Sequence, residues 1–441
     1  MERALVLGGS VAGLLAARVL TDHASEVVIV ERDDLGGGTA MRRGVPQGAH
    51  VHGLLARGLD QIEALFPGIT EEMSDDGAEM ADPGVDLHWY VDGMRKPPAG
   101  IGQGVACTRP FLEWHLRRRL TDLKGVEVVR GRAEGLTTGT GRVDGVTLSG
   151  TGQQGEELRG DLVVDCTGKS TRIDTWLTAV GFDAPPQRKV NVDLGYASRF
   201  YARAPDERLG GARAVISITE DPDRPRGAVA FPVEGGRWLV TVAGYHHDRP
   251  TSDAADYAAR LEQEPCTALR RFANRDDMLS DVTTYRYHAS LRREFDRCRR
   301  FPAGLVGVGD SVASFNPIYG QGMTSAALHS ATLSDYLAGG ASPNQPATRY
   351  FRRLRPVINS VWTLSTSADF RLAHVTGDRP RGVWFTHRLN ELYTKATLRD
   401  ADLHGLFLRV LNLQQRPETM ARPDNLARAY LASRRPAPTV S

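Results

Sequence analysis

The first thirty-one residues alternate between apolar runs and a glycine-rich break. Residues 4–7 are all apolar, as in a strand buried in a parallel sheet. Residues 14–20 carry apolar side chains at helical spacing, and the apolar run 27–30 closes on Glu31. Residues 8–13 between strand and helix form a tight turn that contains Gly8 and Gly13. The pattern predicts a strand, turn, helix and second strand, the order of a dinucleotide-binding unit.

The hydrophobic pattern changes twice farther along the chain. Short apolar runs at 126–129, 143–148, 162–165 and 305–308 predict more strands, and the last two end in Asp165 and in Gly309-Asp310. Alternation over 190–196, 214–218 and 238–242 predicts an antiparallel sheet with one apolar face, suited to the floor of a substrate pocket. Residues 324–337 and 350–431 have helical spacing. The arginine-rich stretch 286–300 is interpreted as a solvated face.

The glycine turn has a defined chemistry. Gly8 permits a sharp exit from the strand, and Gly13 lets the helix lie close to the sheet. The helix N-terminus directs unpaired N–H groups toward a pyrophosphate, and Glu31 can accept hydrogen bonds from a ribose diol. Glu31 would repel a ribose 2′-phosphate, which favours FAD or NAD over NADP at this site. Ser10 departs from the usual second glycine but is small enough for backbone to approach a phosphate.

Composition and charge exclude only a few classes of protein. The 441 residues carry a formal net charge of +2, so no strong field attracts nucleic acid or a membrane surface. The four cysteines are scattered and form no zinc set. There is no apolar run long enough for a membrane span and no signal peptide before the first strand, so we expect a cytoplasmic monomer or homodimer.

Several single residues have both a chemical and an ordinary interpretation. Arg42 precedes a helix, where a guanidinium could neutralise phosphate, although a solvated basic loop is the simpler interpretation of this residue on its own. Arg109 stands at a helix entrance marked by Pro110. His50 and His52 are interpreted as structural or cofactor-flanking residues and not as metal ligands.

The ordered motifs resemble the single-component flavin monooxygenases of the para-hydroxybenzoate hydroxylase fold. The resemblance covers about residues 1–340. It rests on Gly8-x-Ser10-x-x-Gly13 with Glu31, on Asp165-x-x-Gly168, and on Gly309-Asp310 followed by 316–323, NPIYGQGM. Residues 42–47 with His50 and His52, together with residues 316–320, narrow the resemblance toward an actinobacterial branch that contains the polyene epoxidases of polyether biosynthesis.

The resemblance implies an α/β fold with a Rossmann-like FAD-binding domain, an interleaved, mainly antiparallel substrate domain and a helical C-terminal region. The FAD-binding domain is expected to comprise residues 1–72, 106–185 and 286–340. The substrate domain is expected to comprise residues 73–105 and 186–285, and the helical C-terminal region residues 341–441. It also implies cofactor-binding roles for a set of residues: Gly8, Ser10, Val11, Ala12, Gly13, Glu31, Arg32, Arg42, Gln47, Arg109, Asp165, Gly168, Gly309, Asp310, Pro317, Gly320, Gly322 and Met323.

The function implied is an FAD-dependent monooxygenase, an epoxidase or hydroxylase that uses NAD(P)H and O2 on a large apolar polyketide or terpenoid in specialised metabolism. Two alternatives share the motifs: a cyclase of polyenes that uses FAD without redox chemistry, and a flavin-dependent isoprenoid reductase. The chain has no WxWxIP stretch, which disfavours a halogenase. Epoxidation requires no general base, so the only catalytic candidate is Tyr319, for which packing is the simpler role.

Overall fold

The computed structural model describes residues 1–139, 141–150, 155–380 and 382–436. Its strands are β1 Arg3–Leu7, β2 Glu26–Glu31, β3 Glu79–Ala81, β4 Leu87–Val91, β5 Met94–Arg95, β6 Gly104–Ala106, β7 Val126–Arg130, β8 Arg132–Gly139, β9 Arg142–Ser149, β10 Glu156–Arg159, β11 Leu162–Asp165, β12 Gln187–Ala202, β13 Ala214–Ile218, β14 Arg226–Val233, β15 Arg237–Tyr245, β16 Thr283–Arg293, β17 Leu305–Gly307, β18 Ala313–Ser314 and β19 Thr376–Gly377. Its α-helices are α1 Val11–Leu20, α2 Ala56–Leu65, α3 Ile69–Asp75, α4 Arg109–Thr121, α5 Ile173–Ala179, α6 Ala254–Glu262, α7 Thr267–Arg270, α8 Gly322–Ala338, α9 Thr348–Asp369, α10 Val383–Thr397, α11 Ala401–Leu411 and α12 Pro423–Ser433. The predicted α/β class is confirmed.

A five-stranded parallel sheet, ordered β17-β11-β1-β2-β7, forms the first layer. The apolar run of β1 is fully buried between β2 and β11, which explains why it shows no alternation. Helix α1 packs against this sheet and against α8. The carboxyl ends of β1, β11 and β17 therefore lie side by side, at the edge where α/β proteins bind ligands.

A second, mixed sheet lies beside the first. Its strands follow the order β18-β16-β12-β15-β14-β13-β4-β5, with β19 paired to β12. Neighbouring strands are antiparallel except β13 and β4, which run parallel. The predicted alternating strands are confirmed as parts of β12, β13 and β15. Residues two apart along each strand consequently face the same side.

The interpretation of residues 286–300 as a solvated face holds for Arg286, Arg297, Arg299 and Arg300, which are exposed, but is wrong for the two arginines at the end of β16. Most of β16 lies inside this stretch, and the side chains of Arg292 and Arg293 are buried. Arg293 Nε lies 3.0 Å from an oxygen of Asp174, and its Nη1 donates to the carbonyl of Ser311 at 3.0 Å. Partners from distant parts of the chain make burial of this arginine possible.

The C-terminal helices divide between two hydrophobic clusters. Residues of α9, including Phe351, Leu354 and Trp362, join the main core. Helices α10, α11 and α12 pack around a smaller cluster centred on Tyr393 and Leu403. No helix in the described ranges is both long enough and apolar enough to cross a membrane. The three-part division of the chain stays a prediction.

We expect Gly13→Ala to lower the free energy of unfolding by at least about 2 kcal/mol, because a Cβ at Gly13 would overlap the carbonyl oxygen of Gly8 in the backbone turn. Chemical denaturation measures the change. Gly53→Ala is the matched control, since a Cβ there meets no atom within 4 Å. Equal stability of the two variants would contradict the proposed close approach.

Candidate functional site

The N-terminus of α1 opens at the edge of the parallel sheet. Ser10 is its N-cap, with extended backbone, but the Ser10 side chain makes no capping hydrogen bond. The hydroxyl instead donates to Glu113 of α4 and accepts from Nη2 of Arg109 at 2.9 Å. The first N–H groups of a helix have no partner within the helix. Serine at the second glycine position thus links the turn to α4 and leaves these donors facing outward.

Two guanidinium groups share the buried carboxylate of Glu113. Arg109 Nε lies 3.0 Å from one oxygen, and Arg42 bonds to the other. The Glu113 residue is only 2% exposed. Burial opposes its ionisation, but Arg109 and Arg42 outweigh burial and lower the pKa of Glu113. Arg42 also lies 3.6 Å from Glu31 and 3.8 Å from Asp33, so nearby carboxylates offset its charge. Arg109 lines the cavity and is the guanidinium placed to meet a phosphate group.

Glu31 stabilises the glycine turn itself. One of its oxygens accepts from the N–H of Gly9 at 2.7 Å, and the other accepts from the N–H of Asp33 at 3.0 Å. A carboxylate offers about four lone-pair positions, so acceptor capacity remains for a ribose diol. The position at the end of β2 is the one that the sequence predicts.

Asp165 does not face the cavity. Its carboxylate accepts from the N–H and hydroxyl of Thr167 and from the hydroxyl of Thr171 at 2.6 Å. Burial raises its pKa against these hydrogen bonds. The carboxylate therefore shapes the loop that follows β11, and the backbone of that loop, with Gly168 at φ +81°, meets the cavity.

Asp310 follows β17 on a short 3-10 turn. Burial raises its pKa, while Arg109, Ser314 and Lys169 act in the opposite direction. The preceding Gly309 has φ +71°, and its N–H donates to Nδ1 of His329 on α8 at 3.0 Å. His329 is fully buried, and burial lowers its pKa to about 3. The neutral imidazole thus holds the turn that presents Asp310.

A cavity of about 980 Å³ connects these elements with the mixed sheet. Its floor is one face of that sheet. A cross-strand row runs Trp89, Ile216, Val229, Thr241 and Ser198 through directly opposed pairs. This register and the lining residues place one face of the mixed sheet along the cavity, and its role as the floor of a substrate pocket stays a prediction.

The floor is chemically graded. Strands β4, β13 and β14 contribute mostly apolar side chains, together with Ser217 and Arg226, and β12, β15 and β16 contribute a tyrosine-rich end. The apolar end comprises Leu87, Trp89, Ala214, Ile216, Ile218, Val229 and Phe231. The tyrosine-rich end comprises Tyr196, Tyr245, Tyr285 and Tyr287. Helix α11 adds Phe407 and Leu411, so the C-terminal region forms part of the wall.

Two buried polar atoms at the tyrosine-rich end have no hydrogen-bond partner among the described residues: Nε2 of His50 and the hydroxyl of Tyr196. The ring centroid of His50 lies 5.9 Å from that of Tyr196, and its Nδ1 lies 2.7 Å from the Ser198 hydroxyl. Burial lowers the pKa of His50 to about 4. Such groups are usually satisfied, so a bound molecule with polar atoms fits this end.

Most of the residues predicted to bind the cofactor line this one cavity. These are Ser10, Val11, Ala12, Arg32, Gln47, Arg109, Gly168, Asp310, Pro317, Gly320, Gly322 and Met323. The remaining predicted cofactor-binding residues lie behind the cavity wall, where they fix the backbone or contribute charge. These are Gly8, Gly13, Glu31, Arg42, Asp165 and Gly309. Tyr319 also lines the cavity.

Sequence reasoning missed Glu113, His329 and Asp369. Glu113 lies four residues after Arg109, a spacing that pairs side chains on one helix face and could have indicated it. The partners of His329 and Asp369 come from other parts of the chain. Among the described residues, no group of three or more His, Cys, Asp or Glu side chains could hold a metal ion.

An elongated dinucleotide with a flat ring fits these features. The α1 N-terminus and the Arg42–Arg109 cluster suit its pyrophosphate, and Asp310 suits a ribityl hydroxyl. At Gly320 an added Cβ would meet only Leu55 and the carbonyl of Gly53, at 3.7 and 3.8 Å, and at Gly322 it would meet nothing within 4 Å. This glycine edge leaves room for a ring against backbone. The fold and site together define a flavin-binding protein.

Comparisons with known proteins also indicate a flavin-binding protein. The family model "FAD dependent oxidoreductase" matches residues 4–171. Protein Rv3254 of Mycobacterium tuberculosis strain H37Rv is 32% identical over 419 residues, which are 90% of this chain and 87% of that protein. The chain belongs to the same family as Protein Rv3254, and its residues 4–171 match the FAD-dependent oxidoreductase model.

Solved structures share the fold. The flavin-dependent brominase Bmp2 matches with a TM-score of 0.69 at 15% identity over 97% of both chains. PqsL, a probable FAD-dependent monooxygenase from Pseudomonas aeruginosa, matches with a TM-score of 0.63 at 17% identity, over 85% of this chain and 97% of that chain. The tetrameric 2-methyl-3-hydroxypyridine-5-carboxylic acid oxygenase matches with a TM-score of 0.61 at 21% identity, over 83% and 90%. At these identities the likeness concerns the fold alone.

We expect His329 to make the protein acid-labile. A buried histidine with a pKa of about 3, against 6.5 when exposed, contributes stability that is complete above pH 6.5 and is lost as the pH falls toward 3. The part of this loss that is due to His329 should be about 2 kcal/mol in the free energy of unfolding between pH 7 and pH 5. His50, His52, His88 and His404, whose pKa values burial also lowers, add to the loss in both proteins. Denaturation of His329→Gln should show a smaller loss over this range. An identical pH dependence in both proteins would contradict the assignment.

Arg109→Gln should weaken FAD binding by roughly 10- to 100-fold, because a charge-assisted hydrogen bond is lost at the pyrophosphate cluster. Equilibrium titration of the apoprotein with FAD measures the effect. The control is Arg130→Gln, at the exposed end of β7. Unchanged affinity in Arg109→Gln would remove this residue from the cofactor site.

Proposed function

We propose that this protein is an NAD(P)H-dependent FAD monooxygenase that inserts one oxygen atom from O2 into a large apolar molecule, by epoxidation or hydroxylation. The observation that carries the proposal is the single cavity shared by the flavin motifs and the apolar sheet floor. A substrate on Trp89, Ile216 and Val229 would lie in the same enclosed space as the ring at the glycine edge. Bound FAD would supply the electron-transfer and oxygen chemistry.

The residues of this chain would hold and shield the reactants. The α1 N-terminus and Arg109 would bind the pyrophosphate, and Arg42 would add charge from behind the cavity wall. Asp310 would bind the ribityl chain, and the resemblance assigns the adenosine ribose to Glu31. The backbone at Gly320, Gly322 and Met323 would lie beside the ring. The apolar floor and Phe407 would orient the substrate and exclude water, which protects reactive oxygen species from side reactions.

The substrate class is argued from size, polarity and resemblance. A cavity of about 980 Å³ with an apolar floor has room for a large hydrophobic molecule beside a flavin ring. The resemblance of residues 42–52 and 316–323 to polyene epoxidases of polyether biosynthesis supports a polyketide or terpenoid of specialised metabolism. Glu31 acts at the FAD ribose and does not decide between NADH and NADPH as reductant.

The decisive experiment follows the flavin spectrum and oxygen together. We expect the FAD-loaded protein to be yellow, to bleach under anaerobic NADH or NADPH, and to consume O2 and NAD(P)H when air and a substrate are supplied. Farnesol, squalene and a linear polyene ester serve as probes, each with a matched saturated analogue as control. Mass spectrometry of the probe should show a gain of one oxygen atom.

Each contrary outcome has a separate meaning. Turnover of a polyene while the flavin stays oxidised would overturn the proposal in favour of a cyclase. Loss of a double bond without oxygen uptake would indicate a reductase. A protein that does not bleach under either nucleotide, even with the probes present, would remove the proposed reductant.

A further inference from the structure

A buried lysine lies at the apolar end of the cavity floor. Lys96 directly follows β5, and its N–H donates to the carbonyl of Trp89 on β4 at 2.8 Å. Tyr90 lies opposite Arg95 in the antiparallel pairing of these two strands, so Trp89 lies opposite Lys96. Directly opposed residues of an antiparallel pair share one face of the sheet. Lys96 therefore continues the cross-strand row of the floor one strand beyond Trp89.

The ammonium group of Lys96 is next to residues that line the cavity. Its Nζ lies 4.6 Å from the ring centroid of Phe407 on α11, which is a cation–π contact. Phe407 and Trp89 both line the cavity. Lys96 itself is only 6% exposed. A positive charge is thus held among aromatic rings at the edge of the cavity.

The positive charge of Lys96 has no bonded anion. Among the described residues, Lys96 makes no ion pair, and Glu220, whose charge acts on it, is bonded instead to Arg371. Burial lowers the pKa of Lys96 to about 8, and Glu220 opposes the fall, so the amine is mostly charged near pH 7. Buried charges are normally paired, because an unpaired one is costly to remove from water. The missing partner calls for a functional explanation.

His404 of α11 adds no charge next to Lys96. Its Nδ1 donates to the carbonyl of Pro97 at 2.7 Å, which fixes the chain that follows Lys96. Burial and the charge of Lys96 lower the pKa of His404 to about 4, so the ring is neutral near pH 7. Lys96 is therefore the cation that an anionic group would meet at this end of the floor.

The distance from Lys96 to the glycine edge follows from the sheet. A Cβ added at Gly227 of β14 would lie 4.0 Å from Cδ1 of Ile318, two residues before Gly320, so the glycine edge lies over β14. Strands β13 and β4 lie between β14 and β5. Three strand spacings of about 4.8 Å therefore separate the glycine edge from Lys96, a distance of about 14 Å along the floor.

We propose that Lys96 binds the carboxylate of the substrate, and that the cavity takes a long apolar acid whose reacting carbons lie about 14 Å from that carboxylate. A single ammonium among aromatic rings suits one negative charge. A diphosphate suits it less, because Glu220 and Asp221 also line this part of the cavity and would repel a multiply charged group. This inference rests on the proposed function, since the flavin ring at the glycine edge defines where the reacting carbons would lie.

The test measures binding without turnover. The oxidised, FAD-loaded protein is dialysed at about pH 7 against farnesoic acid and against methyl farnesoate, its neutral ester. We expect the unsubstituted protein to bind the acid about tenfold more tightly than the ester, because a charge-assisted hydrogen bond forms at Lys96. In Lys96→Met, which keeps an apolar stem but removes the charge, the two affinities should become equal through a loss of affinity for the acid. Lys395→Met, at an exposed position of α10, is the matched control and should keep the preference for the acid.

A second measurement uses the unsubstituted protein and does not depend on the folding of a variant. Lysines are acetylated with acetic anhydride, and peptide mass spectrometry follows Lys96 and Lys395. At equal occupancy, farnesoic acid should slow acetylation of Lys96 several-fold more than methyl farnesoate does, and neither should protect Lys395. Equal protection of Lys96 by the two ligands, or none, would overturn the proposal.

The outcomes separate this inference from the proposed function. Equal binding of acid and ester by the unsubstituted protein, or a preference for the acid that persists in Lys96→Met, removes the carboxylate site. Oxygenation of the ester in that case would leave the monooxygenase proposal intact. A preference for the acid that depends on Lys96, in a protein that neither NADH nor NADPH reduces, would support the carboxylate site and remove the monooxygenase proposal.

Discussion

The close approach of helix α1 to the turn after β1 is the constraint on which the site depends. Gly13 permits this approach because any side chain there would overlap the Gly8 carbonyl. The helix N-terminus consequently lies at the carboxyl edge of the parallel sheet, beside the loops that follow β11 and β17. Each of those loops contributes to the same cavity. The contact between Gly13 and Gly8 thus brings the N-terminus of α1 beside the loops that follow β11 and β17, which are far away in the chain.

Charge at this edge is organised around buried groups that the cofactor would not touch directly. Glu113 keeps Arg42 and Arg109 together, Asp165 stabilises its own loop, and neutral His329 supports the turn before Asp310. Polar groups buried in this way are stable only when their partners are fixed. The same requirement makes the site rigid before a ligand binds, which reduces the entropy lost on binding.

The mixed sheet and the C-terminal helices give the cavity its polarity gradient. The apolar strands β4, β13 and β14 lie at one end, and the tyrosines of β12, β15 and β16 lie at the other, close to Asp310 and Asp369.

The sequence by itself determined the βαβ unit, the alternating strands of the second sheet and the helix entrance at Arg109, because these depend on patterns only a few residues long. Most of the residues that it predicted to bind the cofactor line the cavity, since their motifs are local. The burial of Arg292 and Arg293, the pairing of Ser10 with Glu113, and the contact of Asp369 with Asn316 were decided only by the tertiary structure. Whether a charged side chain is solvated or buried depends on partners brought from distant parts of the chain, and no local pattern records those partners.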